Sequence, residues 1–328
     1  MKKILFAACF LFSAGAGRAQ CLNGDLELGI FTPDWHCYIN TSPATGVIVP
    51  MAYAAVPSSP RHTITTSGSF DPFVGTVLPV VANGGYAARL GNNLPGAETE
   101  ILSYTFTLTP DFSFMYAPVL EGIHGAADDA FFAYWISLTD NLPISTLGGN
   151  LLAMEEVRTD DPDLVMEPSG IYQYKPWAKE CVMAKFPSLA GYVGATVTIY
   201  FATSDCPFSG HRGYAYIDEL CKPAVLSFTA PPSVGYYPAS MYPINVDASA
   251  SSSVTNYYYV VEECNAAGIP VPGGATETTT PTAGVPALVN LRTWLTPGLF
   301  KPTTYYKITL HAESCGTPMQ TSKIVYIN

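Results

Sequence analysis

Hydrophobic and polar residues alternate with period two along several short stretches. Tyr104, Phe106 and Leu108 alternate with Thr105, Thr107 and Thr109, and Val197, Ile199 and Phe201 with Thr198, Tyr200 and Ala202. Tyr306, Ile308 and Leu310 alternate with Lys307, Thr309 and His311. This period puts successive side chains on opposite faces, so each stretch is predicted to be a strand. Phe112 to Leu120 and Phe131 to Leu138 are apolar runs, the second on both faces, as in a central strand. Tyr257 to Val261 adds another strand, and Asn83-Gly84-Gly85 and Gly148-Gly149-Asn150 mark turns. No amphipathic helix longer than two or three turns is predicted. The pattern is that of an all-β, antiparallel sandwich.

Two acidic stretches frame the first two thirds of the chain. His211 to Cys221 reads as a strand with Tyr214, Tyr216 and Asp218 on one face and Ala215 and Ile217 on the other. Asn23-Gly24-Asp25-Leu26-Glu27-Leu28-Gly29 reads as its distant partner, with Asp25 and Glu27 on one face. They are expected to be the closing and opening strands of one β-domain, residues 20–223. After Cys221 the character changes, and Phe228-Thr229-Ala230-Pro231-Pro232 marks a new domain, residues 224–328. Its length, its strands and its Gly/Pro/Thr-rich loop from Ala266 to Pro286 suit an immunoglobulin-like sandwich.

Residues 1–19 read as a secretory signal: Lys2 and Lys3, an apolar Ile4 to Phe12, then Gly17-Arg18-Ala19 before Gln20. That apolar run is too short to span a bilayer, and no later run is long enough, so no transmembrane anchor is expected. Cleavage leaves 309 of the 328 residues and removes three cations, Lys2, Lys3 and Arg18, moving the net charge from −11 to −14. So acidic a surface repels phosphate backbones and argues against nucleic acid as a partner. Charged residues are only 12% of the chain, and Gly, Pro, Tyr and Thr abound, which fits a secreted β protein better than a helical enzyme.

Seven cysteines follow the signal, and an oxidising compartment pairs most of them. Local pairs are the simplest expectation. Cys206–Cys221 would stabilise by roughly 3 kcal/mol and Cys264–Cys315 by roughly 4 kcal/mol in the chain-entropy model, with Cys21–Cys37 similar to the first. Cys181 is left as a buried free thiol beside Val182 and Met183.

The segments Asn23 to Glu27, Tyr116 to Glu121 with His124, Phe131-Phe132, Asp205-Cys206 and Gly210 to Asp218 resemble galactose-binding-like jelly rolls. Such domains are found among carbohydrate-binding modules, and more narrowly in secreted surface proteins of Bacteroidota. The following domain resembles the Ig-like or PKD-like modules that accompany them. The resemblance implies a structural calcium ion held by Glu27 and Asp218, with Asp25 a further ligand. Parent proteins of this kind often end in a type IX sorting domain or a gliding-motility-associated C-terminal domain. This chain stops at Ile324-Val325-Tyr326-Ile327-Asn328. That ending counts against surface anchoring and leaves three expectations: release, periplasmic retention, or truncation of a longer gene product.

Sugars are gripped by aromatic faces and a few polar groups. Trp35 and Trp177 are the candidate platform, whereas Trp135 sits in an apolar strand and is expected to be packed. His124 with Asp128-Asp129 lacks the second His of a zinc-protease helix. No Gly-x-Ser-x-Gly elbow or phosphate loop occurs. Glu155, Glu156, Asp160, Asp161 and Asp163 cluster around Arg158 as a solvated loop, and His36, His62 and His311 have no ligand spacing. The sequence reads as a secreted or cell-surface, non-enzymatic binding or adhesion protein, with glycans the first ligand class. The alternatives are an envelope structural or assembly component binding a protein partner, and a carbohydrate-active hydrolase or its accessory module.

Overall fold

The computed structural model describes residues 21–40, 53–55, 57, 60–122, 124–125, 128–138, 150–236, 242–282 and 288–328. The predicted signal, residues 1–19, and the Gly148-Gly149 turn lie outside the described residues. The first strands are β1 (Trp35–Asn40), β2 (Tyr53–Ala55), β3 (His62–Thr66), β4 (Phe70–Asp71), β5 (Gly75–Pro79), β6 (Tyr86–Leu90), β7 (Thr99–Thr107) and β8 (Ser113–Glu121). Then come β9 (Phe131–Ser137), β10 (Leu151–Val157), β11 (Val165–Met166), β12 (Tyr172–Tyr174), β13 (Ala178–Cys181), β14 (Thr196–Ser204) and β15 (Gly213–Asp218).

Thirteen of these strands make two facing antiparallel sheets, one ordered β10-β9-β14-β7-β1-β2 and the other β11-β12-β8-β15-β6-β3, with β13 also pairing with β8, while β4 and β5 form a separate pair. The chain passes from one sheet to the other between β2 and β3, β6 and β7, β7 and β8, β8 and β9, β10 and β11, β13 and β14, and β14 and β15. That winding is a jelly-roll sandwich. The period-two residues explain it. Val197, Ile199 and Phe201 of β14 and Phe114 and Tyr116 of β8 meet in the core between the sheets. Tyr200 of β14 faces outward and stacks on Trp135 at 4.9 Å, so the apolar β9 is buried on both faces. The second sheet is covered outside as well: Met115, Ala117, Val119, Tyr214 and Tyr216 pack with Trp177 and the 73–82 segment. The Tyr214 and Tyr216 hydroxyls both donate to Asp71 Oδ2, at 2.8 and 2.9 Å.

The remaining strands are β16 (Ser233–Val234), β17 (Asn245–Asp247), β18 (Thr255–Cys264), β19 (Thr276–Thr278), β20 (Leu288–Asn290), β21 (Thr304–Ser314) and β22 (Thr317–Ile327). A five-stranded sheet, β16-β22-β21-β18-β19, and the β17–β20 pair enclose a separate core that includes Phe228, Tyr259, Tyr306 and Ile308. The described residues are almost entirely β, as the alternation implies, with only short helical turns such as Val182–Lys185 and Leu291–Trp294.

Two expectations about the ends of the first sandwich need correction. Asn23 to Gly29 is a run of turns, not a strand. Asn23 and Leu26 adopt positive φ values of 50° and 61°, which strand backbone excludes. The Asn23 side chain closes the turns, accepting from the Leu28 amide at 3.2 Å and donating to the Ile30 carbonyl at 2.8 Å. β15 itself lies inside its sheet, between β8 and β6. The two ends do meet, through a Cys21–Cys221 disulfide rather than a strand ladder.

All three expected disulfides are replaced, and Cys181 is not free. The bonds are Cys21–Cys221 and Cys181–Cys315, while Cys37, Cys206 and Cys264 are buried thiols. Cys206 and Cys221 flank opposite ends of the six-residue β15, about 20 Å of extended chain. Cys264 is in register with Tyr305 near the start of β21, whereas Cys315 follows its other end, about 30 Å away. Cys37 points into the core from β1, where burial pushes its thiol up to about 12. The loop-entropy preference for short spans describes the unfolded chain; the folded geometry decides which sulfurs can touch.

Candidate ligand-binding groove

Neither tryptophan proposed as a sugar platform is available to one. Trp35 is 2% exposed, and its Nε1–H donates to the Asn23 carbonyl at 2.9 Å. Trp177 is 9% exposed, and its Nε1–H donates to the Pro79 carbonyl at 2.7 Å. Both rings are framework: Trp35 seats the amino-terminal turns, and Trp177 seats the 73–82 segment on the outer sheet.

Glu27 and Asp218 lie at either side of the Ala82–Gly85 turn. Asp218 Oδ2 accepts from the Ala82 and Asn83 amides at 3.1 and 3.2 Å, and Oδ1 from the Glu219 amide at 2.7 Å. Burial and the adjacent Glu219 carboxylate push the Asp218 carboxyl well above its usual range. The Glu27 carboxylate accepts from the Gly85 amide at 3.0 Å. Gly84 suits this turn because its φ of 79° lies in the left-handed region that a Cβ disfavours. Asp25 Oδ1 bonds within its own turn, to the Glu27 amide at 3.4 Å. These carboxylates are thus engaged by amide donors, where calcium needs converging oxygens.

The acidic cluster has a more definite form than a solvated loop. Edge strand β10 presents Glu155 and Glu156, and the chain after it, Arg158 to Asp163, turns across the end of the sandwich. Opposite stand Lys175, just after β12, and Lys185, at the end of the one-turn helix α1 (Val182–Lys185). Together they wall an open groove of about 520 Å³.

Opposite charges interleave along it. Lys185 Nζ is 2.7 Å from Glu155 and 3.6 Å from Glu180. Lys175 Nζ is 3.1 Å from Asp163 and 5.3 Å from the centre of the Tyr116 ring. Arg158 pairs with Glu156 and lies over the Phe131 ring at 5.0 Å. Partial burial lowers both lysines, but Tyr116 and Asp163 around Lys175, and Glu155 and Glu180 around Lys185, outweigh it and hold each ammonium above its usual range. The acidic run was legible in the sequence; the two lysines that complete the groove were not, since they arrive from distant strands.

The other residues weighed for chemistry have structural partners. Asp129 is buried and accepts from the His124 amide at 2.9 Å and the Thr159 hydroxyl at 2.7 Å, so it fastens the loop after β8 to the groove wall. His62 is buried with Nε2 3.1 Å from the Ile101 carbonyl. His36 is exposed on β1. His311 stacks on Tyr258 at 4.8 Å beside a smaller depression of about 260 Å³ in the second sandwich.

No family model matches the sequence, and no curated protein matches it. Among solved structures, the carbohydrate-binding module TmCBM61 in complex with beta-1,4-galactotriose is similar over 61% of this chain and 94% of that one, at 13% identity and a TM-score of 0.31. The adhesin domain of Epf from Streptococcus pyogenes is similar over 90% of this chain and 92% of that one, at 11% identity and a TM-score of 0.20. The enzymatically active domain of tailspike protein 4 from bacteriophage CBA120 is similar over 61% of this chain and 20% of that one, at 11% identity and a TM-score of 0.28. At these scores the likenesses decide neither family nor ligand.

Proposed function

We propose that the chain is a secreted, non-catalytic binding protein and that the groove lined by Glu155, Arg158, Asp163, Lys175 and Lys185 holds a glycan. The observation that carries this reading is the groove itself: about 520 Å³, open to solvent, and lined by three cations and five carboxylates. That volume suits a small-molecule or oligomer subsite. Interleaved donors and acceptors match the vicinal hydroxyls of a sugar, each of which both gives and takes a hydrogen bond. A phosphate-rich ligand would meet five carboxylates there and is disfavoured. Two disulfides support an oxidising destination, and no helix among the described residues is long and apolar enough to cross a membrane.

A glycan array with the full chain tests the reading. A reproducible signal on a subset of glycans is expected, lost when Arg158→Ala and Lys185→Ala are combined in a variant of unchanged circular dichroism. Silence across plant, host and microbial glycans, with an envelope protein captured instead, would replace the glycan by a protein partner.

A further inference from the structure

Three metal-ligating side chains meet at the end of the sandwich where β8, β14 and β15 converge. Sheet register brings them together: Gly213 of β15 pairs with Leu120 of β8, and Ser204 of β14 pairs with Phe131 of β9. His124 lies three residues beyond β8, Cys206 two beyond β14, and His211 two before β15. Their ligand atoms all lie within 4.8 Å of one another. The His124 and His211 rings are 4.6 Å apart, centre to centre.

We propose that His124, Cys206 and His211 bind one zinc ion. Four features point there. First, His211 is 8% exposed, and its Nδ1 is buried without a hydrogen-bond partner among the described residues. A buried ring nitrogen left without a partner, on a residue clustered with two other ligand side chains, suits a coordination position. Second, the Cys206 sulfur accepts from the Gly210 and His211 amides at 3.4 and 3.3 Å, giving it the outer hydrogen bonds that orient a metal ligand. Third, the frame is fixed in advance. The Cys206–His211 turn is closed by Cys206 N–H to the His211 carbonyl at 3.2 Å, and Asp129 holds the His124 amide. Arg212 also ties this turn to β8, its Nε donating to Glu121 Oε2 at 3.0 Å.

Fourth, the donor set selects the metal. Two imidazoles and a thiolate suit zinc, and calcium, which needs six to eight oxygens, is excluded here. Three protein ligands leave the fourth tetrahedral position for water or for an incoming group. His124 is exposed on the solvent side, with the 64%-exposed Phe208 edge-on to its ring at 5.1 Å. Binding displaces the thiol proton of Cys206 to solvent, while both imidazoles coordinate in the neutral form. The ion would cross-link the loop after β8 to the turn before β15, a junction that neither disulfide reaches.

The test uses the full chain, stripped with a chelator and given one equivalent of zinc or cobalt. One zinc per chain is expected to survive gel filtration, and cobalt is expected to give a thiolate charge-transfer band with tetrahedral d–d bands. Cys206→Ser should abolish the charge-transfer band. His124→Ala, at an exposed position outside the core, should weaken zinc at least about tenfold while leaving the apo melting midpoint unchanged. A chain that keeps no zinc, or His124→Ala and Cys206→Ser variants that bind zinc as tightly as the parent, would overturn the proposal.

Discussion

Cys181, at the end of β13 in the first sandwich, is bonded to Cys315, in the turn between the last two strands of the second. Polar contacts surround this bond. Lys179 Nζ donates to the Ser253 carbonyl and to Ser314 Oγ, Asn83 Nδ2 to the Ser251 carbonyl, and the Ser253 amide to Glu219 Oε2. The two cores are separate, so these links set how they are held relative to each other. Combining Cys315→Ser with Lys179→Ala should raise the radius of gyration in small-angle scattering and open residues 222–232 to protease. Neither core should lose its circular dichroism. An unchanged scattering curve would show that the remaining contacts suffice.

Calcium should be dispensable at the Ala82–Gly85 turn. Backbone amides already satisfy Glu27 and Asp218. The melting midpoint is expected to be the same with calcium or with a chelator. Glu27→Ala should destabilise equally in both, by about 1–2 kcal/mol, through loss of the Gly85 bond. A chelator-dependent midpoint that vanishes in Glu27→Ala would restore the ion.

Trp177 should matter for stability and not for the ligand. Trp177→Phe keeps a ring in the outer layer but removes the Nε1–H bond to the Pro79 carbonyl. A loss of about 1–2 kcal/mol in denaturant unfolding is expected, with glycan affinity unchanged. An affinity loss without a stability loss would return Trp177 to the binding surface.

What could be read in advance follows from what is local. Alternation at Thr99–Thr107, Thr196–Ser204 and Thr304–Ser314 is a property of each segment, and each is a strand. Asp25 and Glu27 alternate too, but Asn23 and Leu26 take left-handed backbone and use the Asn23 side chain to stop a strand forming. Trp177 sits in a polar-looking Lys-Pro-Trp-Ala context, yet its acceptor is the carbonyl of a residue 98 positions away. Cysteine partners and the groove's lysines share that limit: their neighbours are fixed by sheet order, which no single segment encodes.

Buried ionisable groups predict an unusual pH profile. Burial pushes Glu100 up to about 8, against the pull of Arg61 at 2.6 Å, and Asp205 up to about 7. Between the ordinary carboxylate range and those values only the folded chain holds the proton, so stability falls as pH rises. Burial lowers His62 from 6.5 to about 4, and in that window the unfolded chain holds the extra proton, so stability rises with pH. The two trends oppose each other below pH 6.5 and leave a net fall above it. The urea midpoint should therefore drop from about pH 6.5 to about pH 8, and Glu100→Gln should flatten the slope. An equal slope in the variant would assign the dependence elsewhere.

The most direct test of the binding role is amide hydrogen exchange of the full chain with and without a glycan selected on the array. New protection is expected over Leu151–Asp163 and at Lys175 and Lys185, and should disappear in the Arg158→Ala, Lys185→Ala variant. Protection confined to Tyr258 and His311 in the second sandwich, or none over Leu151–Asp163, would contradict the assignment of the ligand to this groove.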